Sequence, residues 1–577
     1  MAMKKTPRRA GLALLAAMFL LACEGPAGPV GEQGPVGEPG EPGGQGSPGP
    51  GLLVTGVDLS QNGTVYLVAG ASTVVYATVS PDSAVFQWVE WASGDPGVVG
   101  VTRVPRSGVF AGPESAVRLD ALSPGTSVVT ATSMGAGGGV ISASVTVTVR
   151  HFPSLHVGIA AGAIHRTVWA AGVPVSLTGP HGFAGVGAQV RGRGNTTWWN
   201  MGEKRPFRVR FDQVRPMFGS AYAARDWTVI AAASDHTLVR QYAAYFLGRM
   251  LCYQAFAPAG HFVHVYLDGE YRGLYMLSDQ MQVNQGRAEL RADFDPAMSE
   301  FFLEWCMRSA GEEFHLVVCR LDTVGGNDVN QGVHRLVFVV EFPGSGLLRQ
   351  NLGHMEFVTD FLTRVDRAVY GGDYGEVSGL IDVASFVDFY LVQELFKNHD
   401  SWWSSLFFQL KQTPAGPRLF AGPLWDFDLS AGNAYFGRAS SYAPEGVHTA
   451  RLNPWFRNLM EAGWFRQRAD DRWGRIRDNE VAAMVDRIWY LTGTYRRCFE
   501  RNFERWPDKL GQNVWDNRTV FATPPTVRAI PDFIGNVEYL TDWLARRKTW
   551  MDGFLAPVLP AAAMLVEPAV VPPAGGF

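Results

Sequence analysis

The chain lacks two features that would have narrowed its function at once: a strong charge excess and a metal-type cysteine pattern. Its 577 residues carry 50 Lys and Arg against 54 Asp and Glu, a formal net charge of −4. So small a charge gives no broad positive field for nucleic acid and no polybasic membrane patch. None of the five cysteines is spaced as Cys-x-x-Cys, which argues against a zinc knuckle or a thioredoxin-like motif.

What is present indicates folded modules. Hydrophobic residues make up 47% of the chain and charged residues 18%, a composition typical of globular domains. A chain of this length exceeds what one hydrophobic core usually supports. We therefore expect a multidomain protein.

The N-terminus has the pattern of a cleaved export signal. A basic start is followed by an apolar stretch, Leu12 to Leu21, that is too short for a comfortable membrane span. The ending Leu-Leu-Ala-Cys resembles a bacterial lipobox, which predicts a lipoprotein signal peptide over 1–22 and a lipidated Cys23. The protein would then be exported and lipid-anchored to a bacterial membrane or cell surface. The alternative is a plain signal peptide with an incidental cysteine.

Residues 23–52 contain a collagen-like segment. Glycine recurs at every third position from Gly25 to Gly49, with frequent proline between. Only glycine fits the crowded axis of a collagen triple helix, so the period predicts a homotrimer through this segment. An extended, solvated spacer between the lipid and the first domain is the alternative.

Residues 53–150 alternate short apolar strands with turn residues, which is typical of a β-sandwich. We expect strands at Thr64 to Leu67, Ser72 to Val79, Val85 to Trp91, Ser127 to Thr132 and Val140 to Arg150. The stretch resembles a bacterial Ig-like (Big) domain, and such modules usually hold something away from a surface.

A cationic strand follows a glycine-rich turn in the next part. The turn lies at Arg191-Gly192-Arg193-Gly194, and the strand begins at Lys204. Strand alternation puts Phe207, Val209 and Phe211 on one face and Arg208 and Arg210 on the other. Such a turn and strand can hold phosphates, whereas the alternative is a β-turn beside a solvated strand face.

Two aspartates flank a predicted hairpin. A short apolar strand, Leu406 to Leu410, lies between Asp400 and Asp426 and is followed by a turn at Pro414 to Pro417. Both carboxylates can therefore lie at one end of the hairpin, where they could hold a divalent cation and orient a hydroxyl for phosphoryl transfer. Turn-capping aspartates, or the acid and base of a hydrolase, are the alternatives.

Several sequence blocks occur in an order that resembles the CotH kinase family, over residues 155–556. The blocks begin at Arg191, Lys204, Ala224, Ser234, Val265 and Gly422, and the last contains Pro423-Leu424-Trp425-Asp426-Phe427-Asp428. The resemblance implies an α+β fold like that of an atypical protein kinase. It also implies an enzyme that transfers phosphate from ATP to Ser or Thr hydroxyls of exported or surface proteins, with Mg²⁺ or Mn²⁺.

The resemblance also implies roles for single residues. Asp400 would orient or deprotonate the attacking hydroxyl, and Asp426 would bind the metal; Asp428 is a second ligand or a turn cap. The expected nucleotide-binding cations are Arg193, Lys204, Arg208 and Arg240. Lys204 and Arg208 cannot be separated by sequence, and the Arg240 guanidinium binds either a phosphate or a carboxylate.

The remaining sequence predicts helices and a tail. Apolar residues recur at helical spacing after Pro454, and residues 557–577 read as a disordered tail. Cys306 and Cys319 flank an expected hairpin and are candidates for a cross-strand disulfide. The rival to the kinase is a non-catalytic surface adhesion or structural protein whose kinase-like domain is degenerate.

Overall fold

The structure is a computed structural model of the whole chain. It describes residues 53–84, 88–104, 115–135, 139–251, 256–306, 315–322, 334–433, 435, 442–515 and 522–555. Cys23, the collagen-like segment and the C-terminal tail lie outside these residues. None of the helices in the described ranges is long and apolar enough to cross a bilayer.

The first part consists of two four-stranded sheets. The strands are β1 (Gly56–Leu59), β2 (Thr64–Val68), β3 (Ser72–Ser80), β4 (Glu90–Ser93), β5 (Val99–Arg103), β6 (Ser115–Ala121), β7 (Gly125–Met134) and β8 (Val140–Arg150). One sheet has the order β1-β3-β6-β5 and the other the order β2-β8-β7-β4. Both sheets contribute buried residues to one core, as Val75 and Val117 do from the first and Val129 and Val145 from the second.

This part, called the sandwich below, arises from period-two alternation. In β8 every second residue from Val145 onward is buried while its neighbours face outward. The strands predicted from Thr64, Ser72, Ser127 and Val140 are confirmed. The strand predicted from Val85 falls partly on residues outside the described ranges, and β4 begins at Glu90.

A closed barrel follows. Its strands are β9 (Ser154–Val157), β10 (Ala170–Thr178), β11 (Phe183–Gly192), β12 (Phe207–Arg215), β13 (Ala224–Ile230), β14 (Gly260–Leu267) and β15 (Glu270–Asp279), with helices α1 (Thr196–Asn200) and α2 (Arg240–Met250) in its connections. The order around the ring is β10-β11-β12-β13-β15-β14-β9. Strand β9 pairs parallel to β14 and antiparallel to β10, and so closes the ring.

The barrel interior is filled by alternate residues of its strands. Phe207, Val209 and Phe211 of β12 are each 1% exposed and belong to the core inside the barrel. The predicted alternation of this strand is therefore confirmed. The same pattern places Arg208 and Arg210 on the outer face, which becomes important for the site.

A mixed layer of sheet and helices comes next. Its elements are β16 (Phe301–Trp305), β17 (His315–Asp322), β18 (His334–Phe342), α3 (Ser345–Gln350), α4 (Gly353–Gly371), α5 (Tyr374–Leu380), α6 (Val383–Phe396), β19 (Leu406–Thr413) and β20 (Gly416–Ala421). The sheet order is β17-β18-β16-β19-β20. The expected hairpin of β16 with β17 is wrong, because β18 lies between them. Cys306 and Cys319 are therefore not on neighbouring strands, and the Cys319 side chain lies outside the described residues.

The last part is helical, as predicted. Its helices are α7 (Thr449–Leu452), α8 (Pro454–Glu461), α9 (Gly463–Ile476), α10 (Glu480–Thr494), α11 (Arg496–Arg505), α12 (Pro525–Arg528) and α13 (Phe533–Leu555). Helices α7, α8, α9 and α13 pack around α6, which is buried on all sides and shares their core with β16 and β19. Helix α6 ends at Phe396, and the φ of 44° at the following Lys397 turns the chain toward Asp400.

Candidate active site

The hairpin of β19 and β20 carries the two predicted aspartates to one end. Asp400 lies in a short 3-10 helix, His399–Trp402, just before the hairpin, and its backbone N–H donates to the Asn398 Oδ1. Asp426 lies just after the hairpin. The Ser405 hydroxyl donates to the Asp426 carboxylate at 3.3 Å, so the residue that precedes β19 contacts the segment that follows β20.

Asp428 lies two residues further on and is half-buried. The Ser234 hydroxyl donates to its carboxylate at 2.7 Å. Burial, and then the negative charge of Asp426, raise the pKa of Asp428 to about 7, while the Arg193 guanidinium acts in the opposite direction. Two carboxylates held this closely in a half-buried place are stabilised by a cation between them.

Left-handed backbone conformations are concentrated around these acids. Among the described residues nine other than glycine have a clearly positive φ, and six of them lie in three loops at this site. The six are Ala232, Leu238, Lys397, Ser405, Asp426 and Ala431, with φ between 43° and 63°. Each such conformation costs on the order of 1–3 kcal/mol and persists only where its surroundings hold it.

The first turn of α2 makes hydrogen bonds that stabilise the conformation of residues 425–431, called the acid loop below. The Gln241 side-chain oxygen accepts a hydrogen bond from the Phe427 N–H at 2.5 Å. Arg240 donates to the Ala431 carbonyl at 3.3 Å and forms an ion pair with Asp235. Arg240 is only 1% exposed. Of the two expected partners, a phosphate or a carboxylate, its guanidinium binds the carboxylate of Asp235.

Arginines cover the outer face of the barrel beside the acid loop. Arg191 and Arg193 come from the end of β11, and Arg208 and Arg210 from β12, with Arg191 directly opposite Arg208. Asp226 is the acid among them and binds Arg208 at 3.3 Å and Arg210 at 2.9 Å. We call these four arginines the arginine strip. They were expected in part, since the alternation of β12 placed Arg208 and Arg210 on this face.

The strip is crowded with positive charge. The pKa of Arg208 is lowered to about 10, mainly by burial; the neighbouring Arg191, Arg193 and Arg210 act in the same direction and Asp226 in the opposite one. Burial and then Arg210 lower the pKa of Arg191 as well. The Nε atoms of Arg191 and Arg208 are buried without a hydrogen-bond partner among the described residues. Crowded guanidiniums with unused donors form a surface that an oxyanion such as phosphate would stabilise.

The strip and the acid loop meet at Trp425. The Arg193 guanidinium lies 5.2 Å from the centre of the Trp425 ring, and Trp425 immediately precedes Asp426. The glycine-rich turn makes this approach because Gly194 has a φ of 83°, and a Cβ there would lie 2.3 Å from the Thr197 hydroxyl oxygen. Phosphate-binding and cation-binding groups are therefore neighbours.

Lys204 is not brought to the strip. Its side chain is fully buried and its ammonium donates to the Ala231 carbonyl at 2.5 Å. Burial and then the charge of Lys509 lower the pKa of Lys204 to about 7. The structure thus separates the two cations that the sequence left equivalent: Arg208 lies on the barrel's outer face and Lys204 lies inside.

Sequence reasoning missed Gln241, Ser234 and Arg191 as site residues. Gln241 and Ser234 lie within one of the sequence blocks that carry the family resemblance, and Arg191 begins another. The sequence therefore indicated the segments of the site but not these three residues individually. Within the described part of the chain no group of three or more His, Cys, Asp and Glu side chains is arranged to hold a metal. A cation at Asp426 and Asp428 would need ligand oxygens to complete its shell.

Comparisons with known proteins bear on the family. Tandem Ig repeats of Dlar are 15% identical over 21% of this chain and 65% of that chain, just under two thirds of its length, with a TM-score of 0.13. Domains 5-6 of the S-layer protein SbsC are 12% identical over 30% of this chain and 89% of that one, with a TM-score of 0.14. The sialic acid binding region of the Streptococcus sanguinis SK1 adhesin is 11% identical over 40% and 71%, with a TM-score of 0.14.

Structural scores this low carry no argument about fold or function. No curated protein matches the chain. The family described as CotH kinase protein matches residues 190–295 and 349–551, which include the arginine strip, the first turn of α2 and both aspartates of the acid loop. These residues make up more than half of the sequence, and the chain therefore belongs to the CotH kinase family.

Proposed function

We propose that this protein is an atypical protein kinase that transfers the terminal phosphate of ATP to Ser or Thr hydroxyls of exported or surface proteins. The observation that carries the proposal is the junction at Trp425, where the arginine strip ends beside Asp426 and Asp428. Phosphoryl transfer is mostly positioning and charge neutralisation, and this junction provides groups for both.

A divalent cation fits the donor set of the acid loop. Asp426 and Asp428 are hard oxygen donors, and the raised pKa of Asp428 reflects its burial and its carboxylate neighbour. These two residues would hold Mg²⁺ or Mn²⁺ together with phosphate oxygens. Such an ion supplies neutralisation of the charge on the transferred phosphoryl group. Asp428 would then be a ligand rather than a simple turn cap.

The arginine strip would hold the phosphates of the nucleotide. Arg193 is well placed because its guanidinium lies over Trp425 of the acid loop, and Arg208 has a buried Nε without a partner among the described residues. Lys204 and Arg240 support the site from inside instead, the first through Ala231 and the second through Asp235 and Ala431.

Asp400 would act on the acceptor. It lies just before the hairpin, where it would orient the hydroxyl and take its proton as the new oxygen–phosphorus bond forms. The anhydride bond to the terminal phosphate of ATP breaks in the same step, and the nucleoside diphosphate leaves.

The N-terminal sequence patterns favour a location outside the cytoplasm. We propose that Cys23 is lipidated and that the collagen-like segment spaces or trimerises the protein at a membrane. The sandwich, as an Ig-like module, would hold the kinase away from the surface. Cys23→Ser should move the protein from membrane to soluble fractions if this arrangement is right.

The activity is tested with two variants that should behave differently. Asp426→Asn should abolish Mg²⁺-dependent ATP binding and transfer, whereas Asp400→Asn should bind ATP normally and lose transfer by roughly 10²-fold or more. Purified variants are incubated with labelled ATP and Mg²⁺, and both bound nucleotide and phosphoprotein are measured. Wild-type protein that neither binds ATP nor transfers phosphate would refute the kinase and favour a non-catalytic surface protein.

A further inference from the structure

One side chain packs against both the sandwich core and the cluster that contains Trp425 of the acid loop. Tyr495, at the end of α10, packs against the sandwich core. It also packs against a second cluster that contains Tyr242, Tyr245 and Trp425. Tyr495 is therefore a side chain through which a displacement of the sandwich would reach the residue preceding Asp426.

Helix α10 extends this connection to α2. The Arg487 guanidinium of α10 donates to the Tyr242 hydroxyl at 3.0 Å, and Leu491 belongs to the same cluster as Tyr242. On α2, Tyr245 stacks on Trp425 with ring centres 6.0 Å apart. The Gln241 side chain holds the Phe427 N–H. The first two turns of α2 thus contact both α10 and the acid loop.

The sandwich contacts α11 tightly at Ala69 and Gly70, and this contact is called the seat below. The Cys498 thiol donates to the Ala69 carbonyl at 3.5 Å, and a Cβ on Gly70 would lie 2.7 Å from that sulfur. Beside this contact is a cavity of about 620 Å³, whose lining includes Arg118 and Asp120 of the sandwich and Arg501 of α11. This contact is close-packed and adjoins an open, charged cavity. A small change in side-chain volume there should therefore alter how the sandwich packs against α11.

We propose that the sandwich regulates the acid loop: its seat on the corner between α10 and α11 fixes α2, and α2 fixes Asp426. A ligand or mechanical load that lifts the sandwich from this corner would loosen the acid loop and weaken binding of the divalent cation. This regulation rests on the proposed kinase function, but the looseness of the acid loop can be measured without it. The coupling is transmitted by packed side chains with an identified route rather than by distance alone.

Two glycines of the sandwich give a matched pair of variants. Gly70 and Gly63 have φ values of 90° and 86°, so a valine is equally strained at either position. No atom lies within 4 Å of a Cβ built on Gly63, whereas on Gly70 it would strike Cys498. Gly63→Val therefore reproduces the backbone cost of Gly70→Val without disturbing the seat.

The first measurement is amide hydrogen exchange of residues 425–431 in the full chain without metal or nucleotide. Gly70→Val should speed exchange of the Phe427 amide about 5-fold or more, and Gly63→Val should leave it as in the wild type. If Gly70→Val does not fold, Cys498→Met replaces it, with Cys498→Ser as its control. Equal exchange in both members of the pair would overturn the proposal.

The second measurement is ATP binding during a Mg²⁺ titration. Gly70→Val should raise the Mg²⁺ concentration at half-saturation about 5-fold or more relative to Gly63→Val. Wild-type protein without Mg²⁺-dependent ATP binding would refute the kinase while the exchange experiment still decides the coupling. Wild-type binding that Gly70→Val leaves unchanged would refute the regulation and leave the kinase standing.

Discussion

Gln241 offers a sharp test of how the acid loop is held. Methionine at this position has a similar length, but its thioether sulfur is only a weak hydrogen-bond acceptor, so Gln241→Met deprives the buried Phe427 N–H of its partner. An unsatisfied buried N–H costs about 1–3 kcal/mol. The left-handed conformation of Asp426, with a φ of 59°, itself costs about 1–3 kcal/mol. In the variant the hydrogen bond that offsets this cost is missing.

The loop should therefore relax and displace the Asp426 carboxylate. If about 1.4–2.8 kcal/mol of this cost falls on the bound state, Mg²⁺-dependent ATP binding weakens roughly 10-fold to 100-fold. The assay is calorimetric titration of ATP at several Mg²⁺ concentrations. Because the defect lies in holding the cation, high Mg²⁺ should restore most of the nucleotide affinity.

A control separates this effect from general destabilisation. Asp373→Ala also removes a side-chain oxygen that accepts from a backbone N–H, that of Glu376 at the start of α5. It should cost about 1 kcal/mol of folding stability and leave the Mg²⁺ dependence alone. A Gln241→Met protein with unchanged Mg²⁺ dependence, or an equal defect in both variants, would refute this account of the loop.

Two further predictions concern the buried lysine and the arginine strip. The folded-state pKa of Lys204 is lowered to about 7 from 10.5, so the unfolded chain binds its proton more tightly and wild-type stability should rise between about pH 7 and pH 10.5. In Lys204→Met the free energy of unfolding should no longer rise over this pH range and should be higher than in the wild type by on the order of 4 kcal/mol at pH 7, as measured by urea unfolding. Parallel plots of unfolding free energy against pH for the two proteins would contradict a lowered pKa of Lys204. Arg191→Gln should weaken ATP binding about 10-fold and reduce its salt dependence with no loss of thermal stability, and unchanged affinity would remove Arg191 from the phosphate site.

Local sequence patterns predicted the features that depend on neighbours in the chain. Alternation in β12 fixed which residues enter the barrel core and which form the arginine strip. The hairpin of β19 and β20, with its turn after Thr413, followed from an apolar strand and a Pro-Gly turn. The apolar residues at helical spacing after Pro454 do face the core: Phe456, Trp473 and Leu544 among them are each 1% exposed.

Features that depend on distant partners could not be predicted. The hairpin expected around Cys306 failed because β18, which comes later in the chain, inserts beside β16. Lysine is rarely buried, so nothing local indicated that Lys204 enters the interior. Gln241 is an ordinary helix residue by sequence, and its role appears only when the acid loop, which lies far along the chain, is brought against α2.

Closure of the barrel has a consequence for biosynthesis. Strand β9 is made first, directly after the sandwich, yet its parallel partner β14 is made only after four other strands and α2. Parallel pairing across so long a stretch is slow, since the closing entropy must be overcome before the contact stabilises the chain. A nascent chain therefore holds an open strand edge until Leu267 has emerged, and a holding chaperone would act most usefully during that interval.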